Sequence, residues 1–295
     1  MMEDLLRPIY QERASNPNTL GIILIERKTP DSPITDNFDV ILLNIVGNSE
    51  INWREKHYEL YNGNTAVMHT ITDDLLRRWI DTNGYRKAIE WIVAGKAIFD
   101  RNEYVSGLKK QLRSFPFEKR DLRKAMEFGK LVKSYTEVKD LYMSEQYKDA
   151  FTRMVHSLHY LARLAVIEKG YYPEVTLWNQ VRKIDPEVYK LYDELIESHE
   201  EIAKRVQLMI LAADFAISRK AKVSAKHLLD IMETKNNVLS YEEIKQNPSV
   251  KPYELDLAAI LNYLTEKGIL SPVRIGTKGA GVYQRQYRVN QSRGI

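Results

Sequence analysis

The first 115 residues alternate between short apolar runs and stretches with a helical period. Runs rich in β-branched and aromatic residues, bounded by Pro, Gly, Asn and Asp, are typical of strands, whereas apolar residues spaced three or four apart are typical of helices. The pattern predicts helices at Glu3–Arg13, Asp73–Ile80, a span ending at Ala94, and Tyr104–Ser114. It predicts strands at Leu20–Glu26, Phe38–Val46, Lys56–Tyr61, Thr65–Thr72 and Ala97–Phe99. The third and fourth strands form a hairpin, because Asn62-Gly63 suits a tight primed turn.

Residues 117–217 show a helical pattern throughout. Between residues 150 and 167 the apolar positions recur at helical spacing, and Gly170 and Pro173 then end that helix. Asp185-Pro186 starts another, since Asp caps a helix N-terminus and Pro fits its first position. A last striped helix is predicted from Ser198 to about Ser218. The segment is therefore predicted to be a helical bundle.

The final segment, 218–295, has the order helix, helix, helix, β-ribbon. Its helices are predicted at Ser224–Glu233, from Ser240, and at Pro252–Lys267, and its strands at Ile269–Ile275 and Val282–Asn290. Ser240 and Glu243 have the spacing of a capping box. The chain is thus predicted to hold three domains, at 1–115, 116–217 and 218–295.

Composition excludes several classes of protein. The chain has no cysteine, so disulfide frameworks, thiolate zinc sites and cysteine nucleophiles are excluded. No apolar run approaches the roughly 20 residues of a membrane helix, and the N-terminus lacks the apolar core of a signal peptide. We therefore expect a cytoplasmic protein without a membrane partner.

Charge is distributed unevenly along the chain. Residues 218–295 carry 13 basic and 7 acidic side chains, whereas each of the two preceding segments has a net charge of −1. The whole positive excess lies in the C-terminal segment, which indicates an anionic partner there.

The element order of residues 224–290, with a ribbon around the glycines of 276–281, resembles a winged helix. The third helix of such modules often enters the DNA major groove, but here it carries Glu254, Asp256 and Glu266 against Lys267 alone. The ribbon and tail, in contrast, have no acidic residue after Gly268. Their basic residues are Arg274, Lys278, Arg285, Arg288 and Arg293. These cations, interleaved with tyrosines, suit nucleic-acid backbone binding without sequence reading, and the alternative is that they only keep a solvated hairpin soluble.

The first segment resembles the nucleotidyltransferase fold of the kanamycin nucleotidyltransferase and DNA polymerase β kind. Two adjacent strands joined by a polar loop precede a hairpin and a helix, and residues 97–105 (AIFDRNEYV) are similar to the closing strand of aminoglycoside-type members. The whole chain resembles a Bacillus-type family of nucleotidyltransferase-like proteins with a C-terminal winged helix. This resemblance implies an α+β multidomain protein: a nucleotidyltransferase-like mixed sheet with helices, then a helical bundle, then a winged helix.

The resemblance also implies a catalytic pattern that this chain matches only in part. Active members hold two magnesium ions with three carboxylates and cradle the nucleotide phosphates with a Gly-Ser turn. Aligned with that pattern, Asp39 keeps the second carboxylate, Asn37 replaces the first, and residues 25–29 (IERKT) lack the Gly-Ser pair. The strand Thr65–Thr72 contains no acid where the third is expected, and His69 is its nearest polar candidate. One carboxylate of three compensates two divalent cations poorly.

Asp39 then has three interpretations: a relic, a weak site for a single ion, or a position in a shifted register to which Asp36 contributes.

Two further patterns lie in the bundle. His156 and His159, three apart on a helix, have metal-ligand spacing without a third ligand, and Arg153 with His159 loosely matches the spacing of HEPN-type ribonucleases.

The sequence as a whole favours a nucleotidyltransferase-like protein with a largely lost two-metal site. We expect a binding or regulatory factor that contacts nucleic acid or a protein through its winged helix, with no certain cofactor. The alternative is an active enzyme that uses Mg²⁺ and a nucleoside triphosphate and transfers a nucleotidyl group to a small molecule, RNA or protein.

Overall fold

The computed structural model describes residues 2–27, 33–82, 85–113, 117–234, 238–279 and 281–290. The chain divides into two compact units. Unit 1 holds residues 1–115 and 172–176, and unit 2 holds residues 116–171 and 177–295.

Unit 1 contains a mixed five-stranded sheet in the order β3-β4-β2-β1-β5. Its strands are β1 (Thr19–Glu26), β2 (Val40–Val46), β3 (Trp53–Glu59), β4 (Thr65–Thr72) and β5 (Lys96–Asp100). The central pair β2 and β4 runs parallel, and the other neighbouring strands are antiparallel. The mixed sheet that the sequence predicts is confirmed.

Helices cover both faces of this sheet. They are α1 (Met2–Ala14), α2 (Asp73–Thr82), α3 (Arg86–Ala94) and α4 (Tyr104–Arg113). Helices α2, α3 and α4 pack on the face that carries Ile41 and Leu43, and α1 packs on the opposite face through Leu6 and Tyr10. Strand β2 is therefore buried at every position, as its unbroken apolar run requires.

The β3–β4 hairpin turns around Asn62-Gly63, but by a longer loop than the predicted primed turn. The Leu60 amide donates to the Asn64 carbonyl, and the positive φ is at Gly63 and not at Asn62. Gly63 has a φ of +81°, and the Asn62 side chain accepts a hydrogen bond from the amide of Asn64 at 3.2 Å. Strand β3 begins at Trp53 rather than at the predicted Lys56. It lies at the edge of the sheet and its side chains are almost all exposed, so its sequence shows no alternation of apolar and polar residues that would mark its start.

Unit 2 begins with five helices. They are α5 (Phe117–Met143), α6 (Tyr147–Glu168), α7 (Leu177–Ile184), α8 (Pro186–Glu197) and α9 (Ile202–Ser224). Asp185 caps α8 as predicted, accepting the amide of Val188 at 3.2 Å. The fifth helix extends six residues beyond the predicted end at Ser218, so the expected domain boundary at 217/218 falls inside α9.

The winged helix completes unit 2. Its elements are α10 (Lys226–Thr234), β6 (Leu239–Ser240), α11 (Tyr241–Lys245), α12 (Leu257–Glu266), β7 (Leu270–Gly276) and β8 (Tyr283–Val289). A separate 3-10 turn, Pro248–Tyr253, replaces the start of the predicted third helix, because prolines at both 248 and 252 remove backbone donors there. The first helix starts at Lys226 instead of Ser224, and β6, which was not predicted, pairs with β8.

The bundle and the winged helix share one continuous hydrophobic core. The same cluster contains Phe128 and Tyr135 of α5, Ile217 of α9 and Leu261 of α12. Among the described residues, no helix combines the length and apolarity that crossing a bilayer needs.

Candidate functional sites

Asp39 lies directly before β2, and its carboxylate is bound by other parts of the protein. Oδ2 accepts the Thr65 amide at 2.8 Å and the Thr65 hydroxyl at 3.1 Å, while Arg27 lies 3.5 Å from Oδ1. The hydrogen bonds from Thr65, aided by Arg27, hold the pKa of the Asp39 carboxyl below its usual value. Oδ2 thus fastens the start of β4 to the start of β2, and Oδ1 faces Arg27 just after β1.

Asp36 and Asn37 form a turn in front of Asp39. Both have positive φ, +48° and +70°, a left-handed geometry that Asp and Asn tolerate better than most residues. The Asn37 carbonyl accepts from Arg27 at 3.4 Å, and the Asp36 carboxylate pairs with Lys87 of α3. Arg27 therefore contacts both Asn37 and Asp39. Two other residues of the segment aligned with the Gly-Ser turn, Lys28 and Thr29, lie outside the described residues.

His69 is buried in the middle of β4, beneath aromatic rings. It stacks on Trp91 at 4.9 Å between ring centroids, and its Nδ1 accepts the indole N–H of Trp53 at 3.2 Å. Burial lowers the pKa of His69 and so favours the neutral ring. The Glu55 carboxylate, 3.4 Å from Nδ1, opposes this shift but does not outweigh it. His69 is four residues beyond Thr65 on one strand, a span of about 13 Å, so it does not reach the Asp39 carboxylate.

An aromatic cluster that the sequence did not predict surrounds His69. Trp79 contacts Trp53 and Tyr85 at centroid distances of 5.0 and 4.8 Å, and Tyr85 contacts Trp91 at 5.4 Å. Burial, together with Asp36 and Glu55, raises the pKa of Tyr85 to about 12. The rings come from β3, α2, α3 and the residue before α3, and they join the first residue of the edge strand, Trp53, to the helices.

These side chains do not fit a two-metal site. No group of three His, Asp or Glu side chains that could hold a metal ion occurs among the described residues. The one aligned aspartate already binds Thr65 and Arg27, and a guanidinium lies where a divalent ion would need to approach.

The candidate residues of the bundle all lie on α6. Arg153 pairs with Glu137 of α5 at 3.0 Å, whereas His159 contacts the ring of Trp178 on α7. His156 is exposed on the same helix. The contacts of Arg153 and His159 thus lie on two different neighbouring helices.

Helix α12 packs against the bundle. A Cβ at Gly129 of α5 would lie 2.8 Å from Asp256 and 3.2 Å from Ile260, so the glycine permits a close approach of the two helices. Tyr263 meets Phe128 edge-on at 5.8 Å and its hydroxyl lies 3.2 Å from that of Ser218.

The charged residues of this third helix also bind the bundle. Lys133 lies 3.6 Å from Asp256, Lys139 lies 3.7 Å from Glu266, and Lys267 bonds Asp214 at 2.7 Å. These ion pairs involve Lys267 and two of the three acids that the sequence places on the third helix, Asp256 and Glu266. The remaining acid, Glu254, pairs with Lys251 at 2.8 Å.

The wing places two arginines directly opposite each other. Arg274 of β7 pairs in register with Arg285 of β8, and each guanidinium lies over a tyrosine ring, Tyr283 at 6.0 Å and Tyr287 at 5.2 Å. Like charges in a cross-strand pair are destabilising by themselves. Within the described part of the chain, no carboxylate lies within ion-pair distance of either arginine.

The other predicted cations lie elsewhere on the module. Arg288 faces Ser271 in the register and therefore lies on the opposite face of the ribbon from Arg285. Lys278 lies in the exposed turn at the tip, and Arg293 lies outside the described residues.

Known protein families, a bacterial relative and a solved structure resemble the chain over nearly its whole length. Three family models match in succession: a nucleotidyltransferase-like model at residues 2–120, a YgxA-like substrate binding domain at 121–220, and a helix-turn-helix domain at 226–289. The uncharacterized protein YgxA of Bacillus subtilis (strain 168) is 48% identical over 286 residues, which is 97% of each chain. The crystal structure of a nucleotidyltransferase-like protein from Exiguobacterium sibiricum 255-15 is 36% identical, with a TM-score of 0.75 over 98% of this chain and 99% of the other.

Proposed function

Since the chain belongs to the nucleotidyltransferase-like family that includes YgxA, we propose that it has largely lost two-metal chemistry. It then acts as a binding or regulatory factor through its winged helix. The observation that carries the first part is the engagement of both Asp39 oxygens by Thr65 and Arg27. A magnesium ion would have to displace these partners, and among the described residues no group of three His, Asp or Glu side chains could hold it.

Calorimetry and a turnover assay test the loss of catalysis. The full chain is titrated with MgCl₂ and with each of the four common nucleoside triphosphates, and pyrophosphate release is followed in parallel. We expect no metal-dependent tight binding and no pyrophosphate above the level of an Asp39→Asn variant. Pyrophosphate release that Asp39→Asn abolishes would establish the active-enzyme alternative instead.

The winged helix supports nucleic-acid contact through the wing rather than through the third helix. Helix α12 packs on α5, and its acids pair with bundle lysines, so the surface that reads the major groove in other such modules is engaged within the protein. The Arg274–Arg285 pair, in contrast, presents two exposed cations on one face. A phosphate group between them would relieve their repulsion, which favours backbone binding without base reading.

A triple alanine variant at Arg274, Lys278 and Arg285 tests this surface on random-sequence duplexes of about 30 base pairs. We expect affinity to fall at least about tenfold and the salt slope to decrease by up to about three units, one per lost phosphate contact. The matched control removes the same number of positive charges elsewhere, by replacing the exposed Lys56, Lys148 and Lys183 with alanine. Equal losses in both variants, or none in either, would contradict wing binding and leave a protein partner as the ligand of this module.

Arg288 provides a test of the binding face. It lies on the side of the ribbon opposite Arg274 and Arg285, so a duplex bound to their face does not reach it. We expect Arg288→Ala to change affinity less than about twofold, well below the effect of one lost phosphate contact. A loss as large as that of Arg285→Ala would place the duplex around both faces of the wing.

A further inference from the structure

Helix α9 exposes an apolar stripe that no described element covers. Leu208, Leu211 and Phe215 are 48%, 68% and 66% exposed, and Val223 near the end of the helix is 53% exposed. The first three are three and four residues apart, and Val223 follows Phe215 by eight residues, with Arg219 between them, so all four lie on one side of the helix. A contiguous exposed patch of this kind on a soluble protein marks an interaction surface.

A groove of about 580 Å³ runs beside the stripe, between α8 and α9. Small residues open it, since Ala212 and Ala216 stand one turn apart on α9 and face Val188 and Leu191 of α8. Phe215 lies at its edge. The surface thus combines protruding apolar side chains with an apolar recess next to them.

The charges inside the groove are already paired. Lys220 lies 2.6 Å from Glu168 and 3.4 Å from Asp185, and Arg219 lies 3.5 Å from Glu187. With Lys124, which also lines the groove, three basic side chains balance the three acidic ones, so the recess has no net charge for a small ion to neutralise.

The two helices that border the groove carry opposite net charge. Helix α9 has five basic residues and one acidic residue, whereas α8 has four acidic residues and one basic residue. Glu187 and Glu194, one near each end of α8, have side chains 84% and 63% exposed. Lys204 and Lys222, near the two ends of α9, are also exposed.

We propose that this face binds a second copy of the chain, with two α9 helices antiparallel across a twofold axis. In that arrangement Phe215 and Leu211 of each copy enter the groove of the other, so the surface is complementary to itself. The basic α9 of one copy lies over the acidic α8 of the other, which brings each copy's Lys204 towards the opposing Glu187 and its Lys222 towards the opposing Glu194. At about 34 Å, from 23 residues at 1.5 Å each, α9 is long enough for a substantial helical interface.

Sedimentation velocity on the full chain tests the proposal. At a protein concentration of about 100 µM, the wild type is expected to sediment with about twice the 34.4 kDa mass of the single chain. Phe215→Asp and Leu211→Asp should each weaken dimerisation at least about 30-fold, because each substitution buries a carboxylate twice in a symmetric interface. The control is Tyr61→Asp, at an 89% exposed aromatic residue in the hairpin turn of unit 1, and it should remain dimeric.

A charge-reversal pair distinguishes this geometry from non-specific association. Glu194→Lys should weaken the dimer, and adding Lys222→Glu in the same chain should restore it, because the reversed charges again face each other. Circular dichroism confirms that each variant remains folded. A wild type that stays monomeric at the highest concentration, or a dimer that Phe215→Asp leaves intact, would overturn the proposal.

Discussion

Asp39 connects three parts of unit 1. It precedes β2, receives the amide and hydroxyl of Thr65 at the start of β4, and lies beside Arg27 just after β1. The sequence identified this aspartate through a resemblance, but it could not reveal the partners, because Thr65 and Arg27 lie 26 and 12 residues away along the chain.

We expect Asp39→Ala to destabilise the protein by about 1–2 kcal/mol at neutral pH, since it leaves the Thr65 amide without its acceptor. The pKa of Asp39 is lowered in the folded state from its ordinary 3.8. This contribution is therefore complete above that value and disappears as the pH falls through the folded-state pKa. Urea unfolding of the variant and the wild type at a series of pH values measures it.

Glu50→Gln, at an exposed residue of the same unit, serves as the control. A difference between Asp39→Ala and wild type that persists unchanged at the lowest pH would contradict the assignment.

His69 makes a second prediction about pH. Burial lowers the pKa of its imidazole below 6.5, so the folded state binds the proton more weakly than the unfolded chain. The stability that this neutral ring supports is complete above pH 6.5 and decreases as the pH falls from there towards the folded-state pKa. His69→Gln, which keeps an acceptor for Trp53, should reduce this loss.

Denaturation followed by tryptophan fluorescence at about pH 7.5 and pH 5.5 checks the prediction. His199→Gln, at an exposed histidine, should leave the pH dependence as it is in the wild type. If both variants behave alike, His69 does not carry the effect. The pKa of His227 is also lowered by burial, so part of the pH dependence should remain in every variant.

The sequence predicts an element well only where the element is long enough to show a regular apolar pattern. Strands β1, β2, β4 and β5 have clear patterns, and their predicted bounds lie within two residues of the observed ones, whereas the edge strand β3 starts three residues early and α9 ends six residues late. Strand β6 has two residues, Leu239 and Ser240, which is too short for any period to show. The docking of α12 was also invisible, because amphipathic spacing identifies an apolar face and not its partner.

Gly129 makes that docking testable. We expect Gly129→Ala to destabilise unit 2 by about 1–3 kcal/mol, because the added methyl would lie 2.8 Å from Asp256 and must push α12 away from α5. The control is Gly107→Ala in α4, where the added methyl meets nothing within 4 Å. That change should stabilise by up to about 1 kcal/mol through the lower entropy of the unfolded chain.

Thermal unfolding followed by circular dichroism measures both changes. Equal effects of the two substitutions would mean that the α5–α12 contact contributes little to stability.

The whole molecule divides into fewer compact units than the three segments of its sequence. Three segments differ in pattern, yet the bundle and the winged helix share one core and fall in one compact unit. We expect the amides of α5 and α12 to exchange with deuterium in a single cooperative opening. Hydrogen-exchange mass spectrometry under native conditions measures this, and exchange of α12 orders of magnitude faster than that of α5 would contradict it.

The number of residues in α9 is constrained because one continuous helix joins the bundle to the winged helix. This helix runs without interruption from Ile202 in the bundle to Ser224 beside the winged helix, and its buried positions, among them Val206, Ala213 and Ala221, lie along one inner face. Inserting one residue in its middle would rotate everything that follows by about 100° and shift it by about 1.5 Å. The winged helix would then lose its seat on α5, and the wing would point in a new direction. The number of residues in α9 is therefore constrained, because only an insertion or deletion that restores the rotation about the helix axis keeps the buried face of α9 continuous.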